Sequence, residues 1–488
     1  MRLAWFSPMP PVRSGIATCS AELVTALTAE HQIDVYVDAD LSAQLRNAGT
    51  HSAHEFVWRH RRQPYDLTVF QLGNSSHHDY LWPYLFRYPG LAVLHDAHLH
   101  HARAAALLRT RRADDYRAEF AANHPGASPD MAELAVAGFD SHLYYASPMT
   151  RLVVQASRLA AVHACGIADA LREDLPGAVV ETIRLGHGVF VAPQAAAQAR
   201  ARVRAERGIP PDALVFGVCG GLTPEKRIPQ ILDALVHVLP YAWSAHLLLA
   251  GAAVRHYEVG ADVHARGLDG HVTITGHIEG DEDLTAHVAA CDVSLNLRWP
   301  TAREVSGPWL LALAAGRPTI VIDLAHLTDV PSLDPRTWAM NYCAAPRSSL
   351  LVPRQGAPNS DQRTAESGER PARSERRTAE SDPVTIAIDI LDEAHSLRLA
   401  MRRLASDADL RTRLGASGQR YWQREHSLEA MLADYRRVLQ IAAARLAPRV
   451  ALPAHLVADG ADRLHALTHE LGLDAAALGD RGIPGLLE

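Results

Sequence analysis

Glu304 is the lone carboxylate in WPTAREVSGPWLLALAAGRP (299–318), just ahead of Ser306, Gly307 and an apolar run with helical spacing. A carboxylate accepts hydrogen bonds from hydroxyls, and a Ser-Gly helix start offers free N–H groups. In CGGLTPEKRIPQIL (219–232) two glycines end an apolar run, and Lys226 and Arg227 precede a helix. Two cations beside helix N–H groups suit a diphosphate, although a solvated basic turn reads the same way. Neither the phosphate-binding G-x-x-x-x-G-K-[ST] pattern nor G-x-G-x-x-G is present. Cations and N–H groups in one loop, and a carboxylate in another, form a complementary set for phosphates and sugar hydroxyls.

Three further stretches lie in the first hundred residues. In SPMPPVRSGIATCSAEL (7–23) a Pro-rich loop leads to Ser14 and Gly15 at a helix start, where a ligand can approach the bare glycine closely. In QLGNSSHHDY (71–80) Asn74 and His78 follow a strand, placed either to meet sugar hydroxyls or to cap a turn. In LAVLHDAHLHHARA (91–104) His95 and Asp96 end a strand, with His98, His100 and His101 close behind. The spacing is not H-E-x-x-H and no second ligand cluster completes it, so no metal is expected. His95 is expected to face a cleft, where a near-neutral imidazole can bond a hydroxyl or take a proton; His98 is grouped with it, and a solvated histidine-rich helix start is the plainer alternative.

The elements that must position these loops read as two α/β series. LAWFS, IDVYVD, DLTVFQLG (66–73), LAVLHD (91–96), LAAVHAC (159–165) and VVETIRLGHG (179–188) are strand-like and alternate with helical spacing. LVFGVCGG (214–221), AHLLLAG (245–251), HVTITG (271–276), DVSLNLR (292–298) and TIVID (319–323) form a second series. The fold class predicted is two tandem Rossmann-like doubly wound α/β domains, 1–190 and 191–425, facing a cleft. Residues 352–383 are polar, repeat RTAES at 363–367 and 377–381, and read as a disordered insertion. Helical spacing resumes from VTIAID onward. A helix over 426–447 is expected to cross back to the first domain, followed by a helical tail over 448–488.

Composition fits a protein with real cores: 48% of residues are hydrophobic, 21% are charged and the formal net charge is −7. Nothing in it calls for a nucleic-acid partner. Cys19, Cys165, Cys219, Cys291 and Cys343 form no C-x-x-C pair, which predicts neither a disulfide framework nor a zinc knuckle. The first residues lack a signal peptide's apolar core, and no apolar run approaches the ~18 residues that span a bilayer. A cytoplasmic protein without a transmembrane segment is expected; peripheral membrane contact stays open.

Taken in order, the Ser-Gly near the start, the strand-end His-Asp, GLTPEKR, and the E-x-S-G helix start followed by AAGRP resemble the retaining glycosyltransferases of the GT-B fold, the large family that includes sucrose and mannosyl transferases. LHDAHLH and GNSSHH resemble a bacterial subgroup. The resemblance covers about residues 1–345 and 384–445. It implies a nucleoside diphosphate sugar as donor, bound mainly by the second domain, and transfer in the cleft without a metal or other cofactor. Carried onto this sequence, it places Gly15 by the donor phosphates, His95 near the reacting sugar, Lys226 on the diphosphate, and Glu304, Ser306 and Gly307 on the donor. The chain departs from the family twice. Gly221 stands where many relatives carry an arginine, for which Arg227 could compensate. Leu311 and Ala312 stand where many carry a second glutamate that contacts ribose. The expected acceptor is a glycan, lipid-linked or small-molecule hydroxyl, in glycan or polysaccharide biosynthesis. An epimerase or phosphorylase on the same architecture, and a silent nucleotide-sugar-binding or scaffold protein, are the alternatives.

Overall fold

The structure, a computed structural model, describes residues 1–38, 48–139, 142–255, 257–324, 327, 330–341, 382–458 and 470. Most of the insertion expected over 352–383, and most of the tail expected over 448–488, lie outside these residues.

The apolar runs of the first half become β1 (Arg2–Phe6), β2 (Gln32–Val37), β4 (Leu67–Leu72), β5 (Leu91–Leu94), β6 (Leu159–Val162) and β7 (Val180–Thr182), and the polar GTHS adds an edge strand, β3 (Gly49–Ser52). They form one parallel sheet in the order β3-β2-β1-β4-β5-β6-β7. Every residue of β4, β5 and β6 is buried, which is why these strands read as continuous apolar runs rather than alternating ones.

The second sheet contains β8 (Leu214–Cys219), β9 (Ala245–Ala250), β10 (Val272–Ile274), β11 (Val293–Asn296), β12 (Thr319–Ile322), β13 (Ser332–Leu333), β14 (Met340–Asn341) and β15 (Thr385–Ile388). Its order is β10-β9-β8-β11-β12-β15-β13-β14, parallel except for the β13–β14 hairpin. The fold class is therefore the doubly wound α/β pair that the sequence predicts. The strands β3, β13 and β14 were not expected from the sequence, and one further segment was expected as the wrong type. TIAI (385–388) was expected in a helix, yet it is β15, wholly buried beside β12. Its β-branched apolar residues suit a central strand better than an amphipathic helix.

Strand order reverses beside β1 in the first sheet and beside β8 in the second. In such sheets the crevice for a ligand lies beyond the carboxyl ends of the strands at that reversal. The loops after β1, β4, β5, β8 and β11 carry all five chemistry-bearing stretches. A linker over 183–192 joins the sheets. The helix Leu428–Ala443 packs on the helix Gly15–Leu27 and on β4 and β6. Tyr435 on that helix has its ring centroid 5.7 Å from that of Trp5, and Arg184 of the linker pairs with Asp434 at 2.7 Å. One apolar cluster runs from Trp5 and Leu23 through Met431 and Tyr435 to Trp309 and Leu313. The two sheets thus share a continuous core along one side.

Candidate functional site

On the second domain the site is built around the end of β8. Gly220 has a φ of +83, a left-handed backbone that favours glycine. A side chain there would begin 3.1 Å from Lys226 Nζ and 3.2 Å from Pro308 Cγ. Lys226 sits on the short turn Pro224–Lys226, is 7% exposed, and donates from Nζ to the Cys219 carbonyl oxygen. Its ammonium is therefore tucked between the glycine loop and the first turn of the helix Gly307–Ala314. Burial lowers its pKa from the usual lysine range to about 7; repulsion by Arg298 adds to this and Cys219 partly opposes it.

Glu304 closes the other side of that helix start. Its Oε2 accepts from Thr301 Oγ1 at 2.8 Å. Arg298 Nη1 stands 2.7 Å from Oε1, an ion pair by distance but out of line for a hydrogen bond, and that buried oxygen has no hydrogen-bond partner among the described residues. Ser306 caps the helix by accepting from Trp309 N at 3.4 Å. Gly307 lies against the His187 ring, 3.4 Å from the place a Cβ would take. Glu304, Arg298, Thr301, Asn296 and Leu324 line a small open cleft.

On the first domain, Ser14 accepts from Ile16 N at 3.2 Å and starts the helix, while Gly15 has open space where a side chain would stand. A Cβ on Gly73 would lie 2.5 Å from Ile16 Cδ1, 2.8 Å from His78 Nε2 and 3.3 Å from Asp96 Oδ2. Three segments approach this glycine so closely that nothing larger fits. Asp96 accepts from Asn74 N at 2.6 Å. Burial raises its pKa to about 7, with the Glu304 charge next in weight; the Asn74 N–H and Arg298 oppose the rise. Asp96 therefore feels the second domain's carboxylate, and the backbone of the two domains touches beside it, where His98 N donates to the Ala302 carbonyl oxygen at 3.1 Å.

Several side chains differ from expectation. Arg227, expected to act with Lys226, instead has a left-handed backbone and pairs with Glu393 on the helix Glu393–Ser406. Asn74 is spent on the fold: its Oδ1 accepts from Ala102 N at 2.9 Å and its Nδ2 lies 3.2 Å from His101 Nδ1. His78 is 1% exposed and bonds through Nδ1 to the Gln71 carbonyl oxygen, so it faces the interior. His98 is 6% exposed, and burial pushes its pKa down to about 3. Asn74 and His78 give way as free hydroxyl ligands because each is hydrogen-bonded inside the first domain, and His98 because it is buried where the two domains touch. His95 has both ring nitrogens beside protein groups, Gln71 and His163. Arg298, Thr301, Gln71, His163 and His187 were missed. Arg298 and His163 each stand just beyond a strand's carboxyl end, the signal that singled out His95.

Leu311 and Ala312 are fully buried, and Gly188 packs so tightly that a Cβ there would lie 2.9 Å from Leu311 Cδ2. That helix face belongs to the core. Arg227→Met is expected to leave nucleotide affinity within ~3-fold while costing about 1 kcal/mol for a partly exposed ion pair, read by urea unfolding and calorimetry. A tenfold loss of affinity in the folded variant would return Arg227 to the site.

Among the described residues no three or more His, Cys, Asp or Glu side chains group to hold a metal ion, and no helix is long and apolar enough to cross a membrane. Residues 213–338 match the family model of the glycosyl transferases group 1. No curated protein matches the sequence significantly. Solved structures share the architecture over 90% of this chain. Sucrose-phosphate synthase from Thermosynechococcus elongatus superposes with a TM-score of 0.58 at 15% identity over 98% of its own chain. HepE from Anabaena, solved in complex with UDP and glucose, gives 0.55 at 13% identity over 99% of its chain. WaaG, a glycosyltransferase involved in lipopolysaccharide biosynthesis, gives 0.54 at 12% over 99% of its chain. The chain has the GT-B fold of these glycosyltransferases.

Proposed function

We propose that this chain, with its group 1 glycosyl transferase domain and GT-B fold, moves a hexose from a nucleoside diphosphate sugar to a hydroxyl acceptor with retention at the anomeric carbon. The observation that carries the reading is the pairing across one helix start. Lys226 and the Ser306–Gly307 N–H groups stand on one side of it, and Glu304 stands on the other, opposite Asp96. Lys226 and the helix N-terminus take the charge that develops on the departing diphosphate, a stabilisation that needs no metal. Arg298 supplies the second cation that Gly221 and Arg227 do not. Glu304 Oε1, buried and without a hydrogen-bond partner, accepts from a sugar hydroxyl. The leaving phosphate takes the acceptor's proton. Gly15 admits the phosphates from the first domain's side, and closure of the cleft excludes water. The acceptor is a glycan, a lipid-linked or a small-molecule hydroxyl, met at a cytoplasmic site in polysaccharide assembly, with peripheral membrane contact for a lipid-linked one.

HepE's UDP and glucose make UDP-glucose the first donor to test. In a thermal-shift screen of nucleotide sugars, the true donor at 100 times its Kd is expected to stabilise the fold by about 2.7 kcal/mol. Product analysis by NMR is then expected to give a new glycoside with the donor's anomeric configuration. An inverted glycoside, an isomerised donor or a free sugar phosphate would each overturn the reading.

A further inference from the structure

Behind His95 a chain of polar groups fixes where each proton sits. His163, just beyond the end of β6, has Nδ1 2.9 Å from the Ile183 carbonyl oxygen. A carbonyl oxygen only accepts, so the His163 proton is on Nδ1. Burial holds this imidazole neutral, its pKa down to about 4. Its Nε2 is then a lone pair, and it faces His95 Nδ1 at 3.1 Å, the ring centroids 4.6 Å apart. His95 Nδ1 must be the donor of that bond. Burial, with His163 and His78 as neighbours, also holds His95 neutral, so its Nε2 carries no proton.

On that side Gln71 Oε1 lies 2.8 Å away and accepts from the Tyr435 hydroxyl at 3.3 Å, while Gln71 Nε2 has no partner among the described residues. Two acceptors do not bond. The amide turned by 180° has the same shape and gives its N–H to His95 Nε2; the Tyr435 hydroxyl then accepts from the amide nitrogen, and the amide oxygen takes the position that has no partner among the described residues. Gln71 and Tyr435 are fully buried and His163 nearly so, whereas His95 is half-buried. A ligand in the cleft therefore meets this relay at His95.

We propose that His163 is a positioning residue that holds His95 as the Nδ1–H tautomer, so that His95 Nε2 can only accept, and that the group it recognises is a hydroxyl of the transferred sugar. This rests on the glycosyltransferase reading above. The incoming hydroxyl replaces the Gln71 amide, which keeps the Tyr435 hydroxyl as its partner. A substrate group that cannot donate, such as a methyl ether or a fluorine at that carbon, is rejected because it leaves the lone pair unpaired.

Long-range ¹H–¹⁵N spectra of the full chain with labelled histidine test the tautomer directly. His95, identified by its disappearance in His95→Gln, is expected to carry its proton on Nδ1, and a proton on Nε2 overturns the proposal. His163→Leu is expected to lower kcat ~10-fold or more with KM within ~3-fold, the lower end of what a positioned proton-transfer or hydrogen-bonding group contributes. His163→Gln, whose amide can both donate to Ile183 and accept from His95, is expected to recover to within ~3-fold of the parent. An equal loss in both variants, with unchanged melting, overturns it. If no donor gives transfer, the glycosyltransferase reading fails by itself, and the spectra still decide the tautomer.

Discussion

Lys226→Met is expected to lower sugar transfer by ~10²-fold or more, the scale of losing one preorganised electrostatic group, while leaving the fold at least as stable. Both halves follow from burial. An ammonium 7% exposed has given up most of its hydration, and among the described residues the Cys219 carbonyl is its one hydrogen-bond partner in return. Methionine has nearly the same length and nothing to desolvate. The sign of the pH dependence follows from the same displacement. In the unfolded chain this lysine keeps its proton to a pH near the usual 10.4; in the fold it releases it near pH 7. Between those values the unfolded state binds more protons. The lysine's cost to stability is thus full below pH 7 and fades as pH rises toward the unfolded value. A diphosphate restores the charge, so binding takes up a proton. Nucleotide affinity is expected to fall by up to ~10-fold per pH unit above pH 7 in the parent and to lose this slope in the variant. Calorimetry in two buffers of different ionisation enthalpy measures the proton directly. Parent-like transfer, or an unchanged slope, would remove Lys226 from the diphosphate site.

The sequence and the structure agree where local signals and burial coincide. β4, β5 and β8 are short apolar runs ending in glycine or polar residues, so both the strand and the loop beyond its carboxyl end were legible. Lys226, Glu304, Ser306 and Gly307 accordingly lie about one helix start, and Gly15 opens the helix after β1. Side-chain direction was not legible. Nothing in LTPEKRIP tells which of two adjacent cations turns toward the glycines; the left-handed backbone at Arg227 decides that, by sending its guanidinium to Glu393, 166 residues away. Nor does LHDAHLHH tell which histidines are interior. His78 and His98 were read as hydroxyl ligands because they stand beyond a strand's carboxyl end; here each is buried. TIAI was misread for a further reason: a four-residue apolar run next to a real helix has no periodicity of its own. Its strand character comes from pairing with β12, a contact the chain makes only after folding.

Glu304→Gln is expected to lower kcat/KM by ~10²-fold, about 2.7 kcal/mol of transition-state stabilisation, with affinity for the bare nucleoside diphosphate within ~3-fold. Glutamine keeps the shape and can still accept from Thr301, so the fold has little reason to change. What it removes is the charge on an oxygen that Arg298 approaches at 2.7 Å without making an aligned hydrogen bond. A sugar hydroxyl is the natural partner for that oxygen, and a diphosphate is not, because like charges would meet. The substitution also reports on the opposite wall. Glu304's charge is, after burial, the larger reason that Asp96 titrates near pH 7. Without it the Asp96 pKa falls toward the ordinary carboxylate range. A carboxyl raised in the fold binds more protons native than unfolded, so it takes stability away as pH rises from about 4 to about 7. The variant is therefore expected to lose less stability across that window than the parent, read by urea unfolding at a series of pH values. The two measurements separate the possibilities. Lost transfer with a changed pH dependence of stability is the result for a carboxylate that grips the sugar and faces Asp96. Lost transfer with lost nucleotide affinity would instead assign Glu304 to the nucleotide, and so to the work of the carboxylate that Leu311 and Ala312 cannot supply.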